Sequence, residues 1–89
     1  MEISLRDHVV VVTGASSGIG LTIAQAMADA GAATIFNFHS HGEEAQEAAA
    51  EVRANGDRAI AVEADVSKEA DVLHLFDEAI RSFGRVDVL

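Results

Sequence analysis

The stretch that most constrains this chain is Val9 to Gly20, which reads VVVVTGASSGIG. Four consecutive valines suit a parallel strand covered on both faces, where no polar alternation is needed. Thr13 and Gly14 follow at once, then Gly18 and Gly20, and then a run with helical character. A strand, a glycine-rich turn and a helix start together present backbone N–H groups, and the positive end of a helix dipole, to an anion such as phosphate. The glycines have separate expected jobs. Gly14 permits a turn that a Cβ would obstruct, Gly18 keeps the first helical turn bare for a pyrophosphate, and Gly20 lets the helix pack tightly on its strand.

Competing readings of the same residues are weaker. The spacing is G-x-x-x-G-x-G, not G-x-G-x-x-G, and no lysine follows the last glycine, so the chain carries no P-loop. Gly14 to Gly18 also fits G-x-S-x-G, the nucleophile elbow of α/β-hydrolases, with Ser16 as nucleophile. That chemistry needs an acid and then a histidine further on, and His39, His41 and His74 do not lie beyond a credible acid-bearing strand end. A purely structural turn would leave three glycines and two serines at a helix start without a use.

Composition narrows the partners. With 89 residues, the chain amounts to one domain, residues 1–89, and 49% apolar residues promise a small core. A net charge of −9 with six Lys and Arg argues against nucleic acid or an anionic membrane as partner. No apolar run approaches the ~20 residues of a membrane span, and residues 1–8 lack the apolar core of a signal peptide. The absence of cysteine fits a reducing compartment and excludes disulfides and thiolate metal sites. A cytoplasmic protein is the expectation.

The periodicity predicts a βαβαβα order. Strands are expected over residues 9–13, 34–38 and 58–63, each followed by a helix. The first helix, residues 18–30, would bury Ile19, Ile23, Met27 and Ala30 and stop at Gly31. The second opens on a capping box from Ser40 to Glu43, buries Ala45, Ala48, Ala49 and Val52, and ends near residue 54. The third, residues 68–83, takes Ser67 as its cap and buries Val72, Leu75, Phe76, Ala79, Ile80 and Phe83 before Gly84. Residues 86–89 read as the start of a fourth strand. Alternating strands and helices call for a parallel α/β sheet with right-handed crossovers, half of a doubly wound Rossmann-type fold. The first two helices then share one face, the third takes the other, and the short fourth strand leaves strand one exposed to pairing with another chain.

Thr13-Gly-Ala-Ser-Ser-Gly-Ile-Gly20 after the first strand and Ala64-Asp65-Val66 after the third resemble the short-chain dehydrogenase/reductase family. The run from Ala61 through Leu89 looks most like the 3-oxoacyl-(acyl-carrier-protein) reductases and related carbonyl reductases. The resemblance implies a nicotinamide dinucleotide cofactor. Thr13, Gly14, Ser16, Ser17, Gly18, Ile19 and Gly20 would hold the pyrophosphate and adenosine ribose. Asp65 would accept from the adenine amino group and the Val66 N–H would meet the ring, although Asp65 alone also reads as a turn acid. An NAD site wants a carboxylate about 20 residues beyond the glycines. Phe38 stands there, with His39, Ser40 and His41 after it, and no acid lies between Ile35 and Gly42. NADP is therefore expected over NAD, with His39 and Ser40 toward its 2′-phosphate; solvated loop histidines are the plain alternative.

The family's chemistry also implies a Ser, a Tyr with a Lys four residues later, and an Asn. This chain has no Tyr, and Lys68 is its only Lys. Two descriptions follow: an NADP(H)-binding N-terminal portion of a reductase without its catalytic half, or a stand-alone nucleotide-binding or assembly module. Either is expected to form a homo-oligomer.

Overall fold

The computed structural model describes residues 4–87. Its order is β1 (Val9–Val12), α1 (Gly18–Asp29), β2 (Ala33–Phe38), α2 (Gly42–Ala54), β3 (Ala59–Glu63) and α3 (Glu69–Phe83). The three strands form one parallel sheet in the order β1-β2-β3, with Val9 opposite Ala33 and Thr34 opposite Ala59. This is the predicted Rossmann-type half-fold. All six residues of β2 are buried, as befits a strand flanked on both sides and covered on both faces.

Two apolar clusters sandwich the sheet. On one face Phe36, Phe38 and Ala59 meet the alanines of α1 and α2; on the other Val9, Val11, Ile35 and Val62 meet Leu75 and Ala79 of α3. The first two helices thus share a face and the third crosses back, which right-handed parallel connections require.

The buried side of α1 differs from expectation. Ala24 and Ala28 are its buried residues, whereas Ile19 is 80% and Ile23 43% exposed. Small residues let α1 approach the sheet and α2 closely. The larger apolar stripe instead borders a groove with Val10, Val12 and Met27, alongside β1, the edge strand of the described sheet. On α3, Leu75 and Ala79 are buried, but Ile80 is 53% exposed, because the stripe is wider than the surface three strands offer.

Neither predicted serine cap forms. His41, in the left-handed conformation at φ 56°, precedes α2, and no side chain caps that helix. The Ser67 hydroxyl donates to Asp65 instead, leaving Lys68 as the residue before α3. A short polar side chain that bonds the neighbouring turn is unavailable to the helix.

After Gly84 the chain returns to β1. The Asp87 N–H donates to the Val9 carbonyl at 2.9 Å, and the Val9 N–H donates to Asp87 Oδ2 at 2.7 Å. Val86 and Asp87 form no regular strand, and residues 88–89 of the expected fourth strand lie outside the described residues. No helix among the described residues is long and apolar enough to cross a membrane.

Candidate functional site at the carboxyl ends of the strands

Residues 13–17 connect β1 to α1 at the carboxyl end of the sheet. Gly14 and Gly18 both have positive φ, 64° and 58°, and nothing lies within 4 Å of where a Cβ would stand on either. Backbone conformation, not crowding, therefore demands glycine at Gly14. Gly20 is the opposite case. A Cβ there would overlap the Gly14 carbonyl oxygen, so its close approach is to the turn itself.

The turn is pinned to β2. Ala15 is fully buried, and its N–H donates to the Asn37 carbonyl at 2.7 Å. At the start of α1 the N-cap Ser17 is extended and makes no side-chain cap bond, and no acid stands in the first turn. The positive end of the helix thus carries no compensating group from its own sequence. Thr13, Ser17, Gly18 and Ile19 are exposed, while Ser16 and Gly20 are partly so. The space at Gly18 and this uncapped helix start fit an anionic phosphate.

The ends of β2 and β3 adjoin the turn. Phe38 is 7% exposed, its ring packed against Gly42 in the cluster that also holds Ala15. His39, Ser40 and His41 are exposed beyond it, followed by Glu43 and Glu44 in the first turn of α2. Across from them, the Ala64 N–H donates to the Phe38 carbonyl at 2.8 Å.

Asp65 is held from several sides. Its Oδ1 accepts from the Ser67 N–H at 3.0 Å and the Ser67 hydroxyl at 2.6 Å. Its own N–H donates to Asp71 Oδ2 at 2.8 Å. Its Oδ2 stands 3.9 Å from His39 Nε2. The Ser67 hydroxyl, then the Ser67 N–H, hold the Asp65 carboxyl below the usual carboxylate range, with His39 and Lys68 adding to the effect. Val66 is half-exposed beside it.

Asn37 is a site-shaping residue that pattern reading passes over. It is 2% exposed, and its Nδ2 donates to the carbonyls of Val62 at 3.3 Å and Ala64 at 3.2 Å. With its own carbonyl on Ala15, it ties together the ends of all three strands. The signal was a lone amide in a buried strand whose other polar residue is Thr34, since a buried amide needs partners. Ser16, by contrast, shares no hydrogen bond with a histidine among the described residues. His39 faces Asp65, and His41 only precedes α2, so the nucleophile-elbow reading has no triad.

Three parallel strands with a glycine turn at their carboxyl ends define a Rossmann-type α/β protein. The sequence matches the short chain dehydrogenase family over residues 8–89, and the chain belongs to that family. Members of the family are oxidoreductases that bind nicotinamide dinucleotides. The chain is 43% identical over 86 residues to hydroxynaphthalene reductase-like protein Arp2 of Metarhizium robertsii, covering 97% of this chain and 32% of that protein. It is 46% identical over 85 residues to an uncharacterized oxidoreductase of Methylorubrum extorquens, covering 96% and 34% respectively. The chain thus spans about a third of the length of these curated relatives.

Proposed function

We propose that the chain is the NADP(H)-binding N-terminal portion of a carbonyl or 3-oxoacyl reductase-like member of the family. When bound, the cofactor would supply the hydride. The chain's own residues bind and orient it: backbone N–H groups from Ser16 to Ile19 take the pyrophosphate, Thr13, Gly14 and Gly20 shape the turn, and Asp65 and Val66 receive the adenine. The observation that carries this reading is the bare, uncapped start of α1 at the same end of the sheet as the fixed acceptor Asp65. His39 and Ser40, at the end of β2, meet the 2′-phosphate. A buried Phe38 at the place of the NAD-specific acid supports NADP, and the reductase-like name of the fungal relative supports a reductase.

No residue of this chain supplies the family's Tyr and its paired Lys, so a proton donor for carbonyl reduction is missing from these 89 residues. We therefore assign it cofactor binding without reduction on its own, in a cytoplasmic setting that suits a chain free of cysteine. A second reading, a stand-alone nucleotide-binding or assembly module, draws on the exposed Ile19 and Ile23 beside the edge strand β1. Either way the chain self-associates through that surface and the exposed side of α3, which carries Leu73 and Ile80.

Titration calorimetry tests the site. Wild type is expected to bind NADP more tightly than NAD, and Gly18→Val to bind neither, with circular dichroism reporting that the variant folds. Equal affinity for NADP in a folded Gly18→Val and wild type rejects the assignment.

A further inference from the structure

The chain carries six Lys and Arg against fifteen Asp and Glu, and three of those six cations meet at one cleft. Arg6, Arg58 and Arg85 line it together with Asp7, Val9 and Phe83, around a volume of about 260 Å³. It lies at the amino ends of the strands. Arg6 precedes β1, Arg58 precedes β3, and Arg85 follows the end of α3 at Phe83. The glycine turn and Asp65 stand at the opposite, carboxyl end of the sheet.

Each arginine is anchored by its own segment. The Leu5 N–H donates to the Ala30 carbonyl at 2.7 Å, and the Arg6 stem packs where Gly31 lacks a Cβ. Arg58 Nη2 donates to the Arg6 carbonyl at 2.7 Å, and the Arg58 carbonyl accepts the Thr34 N–H at 3.1 Å. Arg85 Nε donates to Asp87 Oδ2 at 2.9 Å, and the same oxygen accepts the Val9 N–H. A guanidinium has five N–H donors, so these bonds leave most of them spare among the described residues. Asp7 is the carboxylate among the lining residues, and Asp87 is taken up by Val9 and Arg85. A cation after α3 also complements the negative end of that helix. That accounts for Arg85, but not for Arg6 and Arg58, which belong to other segments.

We propose that this cleft is an anion site, separate from the nucleotide site, that takes a doubly charged phosphoryl group, free or on a small ester. Guanidinium groups pair with oxyanions through forked, charge-assisted hydrogen bonds. Three of them reaching one cleft from three segments suit a tetrahedral dianion, which presents oxygens in several directions. A planar monocarboxylate satisfies one fork and leaves the other arginines unpaired. The concave, locally cationic surface also concentrates such an anion against the negative field of the rest of the chain.

Titration with inorganic phosphate, glycerol phosphate and acetate, at one ionic strength, tests the site through amide and arginine side-chain chemical shifts. The pH is held well above about 6, so that phosphate keeps its second charge. Wild type should give saturable shifts at Arg6, Arg58 and Arg85 with inorganic phosphate, and acetate should not saturate them. Glycerol phosphate that saturates the same signals assigns the site to an esterified phosphoryl group, and its failure beside binding of inorganic phosphate assigns it to the free ion. Arg6→Gln and Arg58→Gln should each weaken phosphate binding, by about three- to tenfold for exposed charge-assisted contacts. Arg81→Gln, on the exposed side of α3 where Arg81 pairs with Glu78, should not. Circular dichroism checks folding, and Arg6→Gln, which leaves the bond from Arg58 to the Arg6 carbonyl in place, decides the matter if Arg58→Gln unfolds. Equal affinity in folded Arg6→Gln and wild type overturns the proposal, as does acetate binding as tightly as phosphate. Phosphate shifts confined to Ser16 to Ile19 overturn it and leave the nucleotide site standing.

Discussion

Gly18 and Gly20 sit two residues apart and are glycine for unrelated reasons. Gly18 lies at φ 58° in open space, so an alanine there meets only the backbone penalty of the left-handed region, about 1–2 kcal/mol. Gly20 has an ordinary conformation, but its Cβ would strike the Gly14 carbonyl oxygen, a backbone atom that cannot rotate away. Overpacking of this kind costs about 1–3 kcal/mol and distorts the turn as well. Gly20→Ala should therefore show the lower urea midpoint of the two variants; the reverse order would mean that conformation outweighs contact here. Acid stability is a second residue-scale matter. The Val9 N–H, then Arg85, hold the Asp87 carboxyl below its ordinary range. A depressed carboxyl contributes stability that is present above its unfolded pKa, about 3.9, and is lost as pH falls through the folded value. Thermal melts from pH 5 to pH 3 should fall more steeply for wild type than for Asp87→Asn, and parallel profiles would show that this contact does not bear on stability.

At the scale of elements, what was legible follows from what each signal reports. The valine run, the alanine stripe of α2 and the glycine stops after α1 and α3 specify backbone direction and burial, and the strands and helices form where those signals stand. The cap at Ser67 fails because its hydroxyl bonds Asp65, and Ser40 is displaced from the cap position of α2 by His41 in the left-handed conformation. The face of α1 was misread because spacing cannot tell an apolar stripe facing the sheet from one facing a groove at its edge. At the site, Gly14, Gly18 and Asp65 could be located by motif, but the tie through Asn37 and the approach of His39 to Asp65 depend on strand register, which no local pattern carries. The corrected face of α1 has a consequence. Ala24→Leu should destabilise by about 1–3 kcal/mol, because Ala24 is fully buried between α1 and the sheet. Ile23→Lys should change stability within about 0.5 kcal/mol and shift the sedimentation of the chain toward monomer. A large loss of stability in Ile23→Lys would restore the original stripe to the core.

At the scale of the molecule, three strands and three helices bring the glycine turn, the β2–α2 loop and the Asp65 loop to one end, each set by a different crossover. The family's relatives are about three times as long, and Asp87 already lies against Val9 on the edge of β1. What we propose these 89 residues do alone is hold the cofactor. The central claim is that they do so at the carboxyl ends of the strands, and amide chemical shifts on titration with NADP read it residue by residue. Shifts concentrated at Ala15 to Gly20, at His39 and Ser40 and at Asp65 and Val66, saturating together with one dissociation constant, are the result this account predicts. Saturating shifts confined to other surfaces, with those amides unmoved, or no shifts at millimolar nucleotide, would contradict it.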